Sequence, residues 1–80
     1  MLYDIDKVRF INDHLLYLHF EDGTEGRLDI AKLIPFKGVF APLKNEKYFS
    51  QVKLDKTLGT ICWPNGADIA PEFLYDHLKS

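Results

Sequence analysis

From Asp6 to Ile30 apolar and polar residues alternate with a period of two, broken by two short polar clusters, which predicts a meander of three antiparallel strands. The segments are Val8-Arg9-Phe10-Ile11, Leu15 to Phe20, and Thr24 to Ile30. Connection length decides which side chains share a face. A three-residue loop at Asn12-Asp13-His14 sets Phe10 opposite Leu16 and Val8 opposite Leu18, whereas a two-residue loop scatters the apolar set. At Glu21-Asp22-Gly23, a bulged turn with Gly23 in the left-handed region sets Leu16 opposite Leu28 and Leu18 opposite Gly26. One face then carries Val8, Phe10, Leu16, Leu18, Phe20, Leu28 and Ile30. The other carries Arg9, Tyr17, His19, Glu25, Arg27 and Asp29, with Tyr17 beside Arg27 and His19 beside Glu25 across the strands.

After Ile30 the spacing changes to short helical turns that Pro35 stops, and the stretch holding Phe36, Gly38, Val39, Phe40, Pro42 and Leu43 reads as irregular but pinned by buried aromatics. Asn45 is placed to cap a single helical turn over 46–49. Val52-Lys53-Leu54 and Thr60-Ile61-Cys62-Trp63 form a last hairpin. Pro64 ends its second strand, and Asn65-Gly66, a pair that tolerates positive φ, reverses the chain. Pro71 suits the first position of a C-terminal helix, and Ile69 and Leu74 bracket that start as a hydrophobic staple. Leu74, Tyr75 and Leu78 give the helix one apolar stripe. The expected fold is α+β: a mostly antiparallel sheet of about five strands built from hairpins, with short helical turns and a C-terminal helix packed on one face, in a single domain over residues 1–80.

Composition adds exclusions. A 46% hydrophobic content with one Trp, four Tyr and six Phe supports a real core and argues against disorder. A net charge of −2 gives no general attraction to phosphate backbones or anionic membranes. One cysteine cannot form an intramolecular disulfide, no apolar run is long enough to cross a bilayer, and no charged-then-apolar leader follows Met1. A cytoplasmic protein is therefore expected.

The chemistry-bearing residues are sparse. His14, His19, His77 and Cys62 stand at no zinc-like spacing, and Cys62, alternating with Ile61 and Trp63, reads as a packing residue; only His77 on the last helix could serve it as a base. Asp68, between a tight turn and a helix start, is expected to tie down that corner together with Trp63, Asn65, Gly66 and Tyr75 rather than to act as an acid or base with Glu72. Trp63 is expected in the core, although a position beside a turn also suits a partner anchor. No glycine-rich phosphate loop is present. Lys44, Lys47, Lys53 and Lys56 are diluted by Glu46 and Asp55 and read as a solvated face. No catalytic, cofactor-binding or metal-binding residue is assigned, and no enzyme activity is expected.

Phe20-Glu21-Asp22-Gly23, Arg27-x-Asp29 and above all the run Trp63-Pro64-Asn65-Gly66-Ala67-Asp68-Ile69-Ala70-Pro71-Glu72-x-Leu74-Tyr75 carry a resemblance. From about Val8 to Tyr75 the chain resembles the small, mostly bacterial family catalogued as domain of unknown function 2442. The resemblance implies an α+β sheet-and-helix domain with no established catalytic role. It also implies pairing with another small protein in toxin–antitoxin-type modules. Some relatives look fused to a helix-turn-helix DNA-binding segment, which is expected to be absent from a chain ending at Ser80. The expected function is thus a small protein-binding module, with a nucleic-acid-associated regulator as the alternative.

The partner would be another small protein or a second copy of the chain, with Arg9, Tyr17, His19 and Arg27 as candidate contacts; neither a membrane nor a nucleic acid is expected to bind the isolated chain. No metal is needed for a core of this size, so the melting midpoint should be the same with and without excess chelator. A large drop with chelator would contradict this reading.

Overall fold

In the computed structural model, which describes residues 3–79, strands β1 (Ile5–Asn12), β2 (Leu15–Phe20) and β3 (Glu25–Asp29) form an antiparallel sheet in the order β1-β2-β3. Met1, Leu2 and Ser80, the positions next to the expected absences of a leader and of a DNA-binding segment, lie outside the described residues. The register is the one that the alternation predicts. Val8 faces Leu18 and Phe10 faces Leu16, while Leu16 faces Leu28 and Leu18 faces Gly26.

The device that sets the first register differs from expectation. The ladder continues to Asn12 opposite Leu15, closing a two-residue turn at Asp13-His14 with Asp13 at φ 47°, and an irregularity between Phe10 and Asn12 absorbs the extra residue. A two-residue turn with a bulge thus brings the same side chains together as the three-residue loop predicted from parity. A second irregularity lies between Ile5 and Lys7. It lets β1 begin at Ile5 and keeps that buried residue opposite Phe20.

The remaining strands, β4 (Lys53–Asp55) and β5 (Thr60–Cys62), make a separate two-stranded antiparallel sheet beside β1. The five strands are therefore shared between two sheets. Between them runs a 3-10 helix over Ile30–Lys32, for which the Asp29 carboxylate accepts from the Ala31 N–H at 3.2 Å. The stretch read as irregular is a second 3-10 helix, Gly38–Lys44, with Pro42 inside it. Helix α1 (Glu46–Phe49) follows, capped as predicted by Asn45, whose side chain accepts from the Tyr48 N–H at 3.1 Å. Such a cap stabilises by about 1 kcal/mol.

Two turns share one hydrogen-bond scheme. In Phe20-Glu21-Asp22-Gly23-Thr24, Gly23 N–H donates to Phe20 O (2.9 Å), Phe20 N–H to Thr24 O (2.7 Å), and Thr24 N–H to the Asp22 carboxylate (2.9 Å). In Trp63-Pro64-Asn65-Gly66-Ala67, Gly66 N–H donates to Trp63 O (2.9 Å), Trp63 N–H to Ala67 O (2.9 Å), and Ala67 N–H to the Asn65 side-chain oxygen (3.0 Å). The glycine sits at φ 92° in the first and 90° in the second. Both are three-residue reversals that need an Asx to hold the backbone two residues on and a glycine to turn it. Asn65, rather than Asp68, thus ties the corner. Asp68 is exposed, it meets Cys62 through a backbone bridge, and no hydrogen bond or ion pair to its carboxylate occurs among the described residues.

The corner delivers helix α2 (Pro71–Lys79), which begins at Pro71 as predicted and packs along β3 on the apolar face of the meander. Leu74 is fully buried, the Tyr75 ring stands edge-on to Phe20 at 5.1 Å, and Leu78 lies directly over Gly26, where an added Cβ would come within 2.8 Å of the leucine. The Tyr75 hydroxyl donates to the Asp22 carboxylate at 2.6 Å, fastening the helix to the first of the paired turns.

The core joins these parts. Trp63 is 2% exposed, so it is a core residue, and its indole N–H donates to the Phe49 carbonyl at 2.9 Å. The Phe49 ring is fully buried among the rings of Phe10, His14, Phe36 and Trp63. Asn65 N–H donates to the Tyr48 hydroxyl and Asn65 Nδ2 to the Val39 carbonyl, both at 2.9 Å, so the corner is also bolted to α1 and to the second 3-10 helix.

Two outcomes follow from the paired turns. An added Cβ at Gly66 meets nothing within 4 Å, so the cost of substitution there is conformational. Gly66→Val should destabilise by about 3 kcal/mol and Gly66→Asn by much less, as read by urea midpoints; equal effects would contradict the positive φ. The Tyr75 hydroxyl, and after it the Thr24 N–H, hold the Asp22 carboxyl below its ordinary pKa. That contribution is complete above the unfolded carboxyl's pKa of about 4 and disappears as pH falls through the lower folded value. Tyr75→Phe and Asp22→Asn should each flatten the acid limb of stability against pH; curves parallel to wild type would contradict the assignment.

Candidate functional site

With α2 and the aromatic core on one side of the meander, the opposite side is its open surface. Strand pairing builds it in rows. Arg9 on β1 is the partner of Tyr17 on β2, which is in turn the partner of Arg27 on β3, so an Arg-Tyr-Arg row crosses the sheet. The next row is Lys7, His19 and Glu25. The period of two along β2 also puts Leu15 on this side, an apolar position missing from the face derived by sequence.

Side-chain contacts sort the members of this surface. The Tyr17 hydroxyl donates to the Glu25 carboxylate at 2.5 Å, diagonally across β2 and β3, and this bond raises the hydroxyl's pKa above its ordinary value. The bond thereby fixes the orientation of the Tyr17 ring. The Arg9 guanidinium stacks over its ring, 5.3 Å from the centroid. His19 sits opposite Glu25 in the ladder, but its Nδ1–H donates to Asp6 at 2.6 Å. Asp6 lies in the irregularity of β1, which brings it within reach. His19 is thus held within the face. Arg9 and Arg27 are exposed, and among the described residues neither has a carboxylate partner.

Two open clefts meet at this row. One, of about 490 Å³, is lined by Arg9, Tyr17 and Arg27 with Phe10 and Ile11 as its apolar wall. The other, of about 510 Å³, runs between the edges of β1 and β4, where Lys7, Arg9 and Tyr17 face Val52, Lys53 and Leu54. Arg9 and Tyr17 form the ridge between them. The structure therefore brings Arg9, Tyr17 and Arg27 together as sequence reasoning proposed, leaves His19 beside them in a pair with Asp6, and adds Ile11, Lys7 and Lys53. Sequence gave no signal for the β4 contribution, because the approach of β4 to β1 is tertiary. The middle-third lysines do not act as one patch: Lys53 lines the larger cleft, while Lys56 lines a smaller one with Asp4, Asp6 and Glu21.

The other two histidines and the cysteine lie in other segments of the chain. His14 Nε2–H donates to the Leu43 carbonyl at 2.7 Å between the rings of Phe36 and Phe49. His77 Nδ1–H donates to the Phe73 carbonyl at 2.8 Å. Cys62 is half-buried in β5. Among the described residues no group of three or more His, Cys, Asp or Glu is arranged to hold a metal ion, and no helix is long and apolar enough to cross a membrane.

No curated protein and no solved structure matches the chain. A family model does, over residues 5–80 and so essentially the whole chain, and on that match the protein belongs to the family described as Protein of unknown function (DUF2442).

Proposed function

We propose that this domain is a non-catalytic protein-binding module whose contact surface is the polar face of the three-stranded sheet. The observation that carries this reading is the Arg9-Tyr17-Arg27 row, in which a fixed tyrosine is flanked by two guanidiniums that have no carboxylate partner among the described residues. Tyrosine and arginine dominate the energetics of protein interfaces, the ring supplying area at low entropic cost and the guanidinium supplying directed hydrogen bonds. Asp6, Glu25 and Asp29 on the same side disfavour a phosphate backbone, and the chain's net charge of −2 offers no long-range attraction to one. The partner in this reading is another small protein, as for the antitoxin-like half of a two-protein toxin–antitoxin-type system in a bacterial cytoplasm, or a second copy of the chain.

Tyr17→Ala combined with Arg27→Ala tests the surface. The double variant should keep the wild-type circular dichroism spectrum and cooperative melting, since both side chains lie outside the core. Its affinity for the partner captured from the native cell should fall by roughly 100-fold, the loss typical of two interface anchors. Undiminished capture would place the interface elsewhere, with the exposed side of the corner at Pro64 and Asn65 as the next surface to alter.

A further inference from the structure

We propose that the segment received by this face is an extended, acidic stretch of the partner protein, in which one carboxylate is gripped between Arg9 and Arg27 and apolar side chains enter the clefts on either side. The inference rests on the protein-binding reading and specifies the chemistry of the partner.

Charge complementarity argues for the acid. Lys7, Arg9, Arg27 and Lys53 line the two clefts against one carboxylate, Asp6, which His19 engages, and the cleft that holds Arg9 and Arg27 has no acidic side chain in its lining. A locally cationic row stands on a chain whose net charge is −2. Arg9 and Arg27 lie two strand spacings apart, about 10 Å between backbones, and both line one cleft, so their side chains can converge on a group held over β2. A guanidinium presents its donors as a planar fork that fits a carboxylate in bidentate fashion. The Tyr17 ring already carries the Arg9 guanidinium, 5.3 Å from its centroid, which holds that fork beside the cleft it shares with Arg27.

Shape argues for an extended segment. The ridge formed by Arg9 and Tyr17 separates a cleft walled by Phe10 and Ile11 from one walled by Val52 and Leu54. Alternate residues of an extended chain point to one side at about 6.6 Å intervals. An acidic residue over the ridge therefore projects its neighbours two positions away on either side into the clefts. The pattern recognised is apolar, any, acidic, any, apolar.

The test is an NMR titration of the isolated domain with a capped peptide in which leucine, serine, glutamate, serine and leucine follow one another, and with its glutamine counterpart. The glutamate peptide should shift the amide resonances of Arg9, Tyr17 and Arg27, and the glutamine peptide should bind roughly tenfold or more weakly, the worth of a charge-assisted pair. Arg9→Gln and Arg27→Gln should each remove that preference while keeping a dispersed spectrum, and Arg27→Lys should restore it only in part. The inference is overturned if the glutamate peptide does not bind, if glutamine serves as well as glutamate, or if the arginine variants bind unchanged. It is also overturned if a single-stranded oligonucleotide binds this face more tightly at physiological salt, or if sedimentation shows a second copy of the chain occupying it. Failure of the peptide while the double alanine variant still loses the captured partner removes the acidic occupant and leaves the binding-module reading standing. Undiminished capture removes that reading independently of the peptide.

Discussion

One hydrogen bond, from the Trp63 indole to the Phe49 carbonyl, closes the fold around its aromatic centre. A tryptophan 2% exposed must find an acceptor for its N–H, because leaving that donor unpaired in the interior costs about 1–3 kcal/mol. A one-turn helix supplies the acceptor, since its carbonyls have few partners of their own. The Phe49 carbonyl takes the indole N–H and also the Val52 N–H, at 2.9 and 3.1 Å. The rest follows in sequence. Asn45 caps α1 and fixes Phe49, Phe49 receives Trp63, and the turn after Trp63 sends α2 back across β3.

That order of dependence also explains why the open surface is where it is. Helix α2 and the rings around Phe49 take the apolar side of the meander, so the odd-numbered positions of β2 are left facing outward. Three strands in fixed register then hold Arg9, Tyr17 and Arg27 in line, and the Glu25 hydrogen bond fixes the central ring. Arginine and tyrosine side chains set in place by a sheet lose less entropy on contact than the same groups on a loop. Much of the ordering needed for recognition is therefore complete in the free domain.

Sequence made the meander legible because its parity is strict: Leu16, Leu18 and Phe20 can share a face in only one register, and each is fully buried. The Asn45 cap, the Pro71 helix start and the positive φ at Gly66 were legible for the same reason, as residue types with one favourable local geometry. Asp6 and Ile11 were not. Each lies at an irregularity of β1, where a period of two is broken by one residue, and nothing local marks which residue is extra. The second 3-10 helix was missed because Gly38 and Pro42 interrupt any helical periodicity. Of the corner residues named from sequence, Asp68 was expected to supply the tie because it precedes the helix, but the turn needed an acceptor two residues before the Ala67 N–H, which Asn65 provides. For the candidate site, the Arg-Tyr-Arg row followed from register alone. The pairing of His19 with Asp6 and the cleft against β4 required contacts between distant segments.

If the Trp63 to Phe49 bond closes the whole fold, the indole N–H should be released only by complete unfolding. Native-state hydrogen exchange measures this directly, comparing the Trp63 indole N–H with the backbone amides of Leu16 and Leu18 in increasing sub-denaturing urea. The three protons should exchange with the same free energy and the same dependence on denaturant. Exchange of the indole through a smaller, urea-insensitive opening, while the β2 amides stay protected, would show that the corner opens alone and that the sheet does not depend on it.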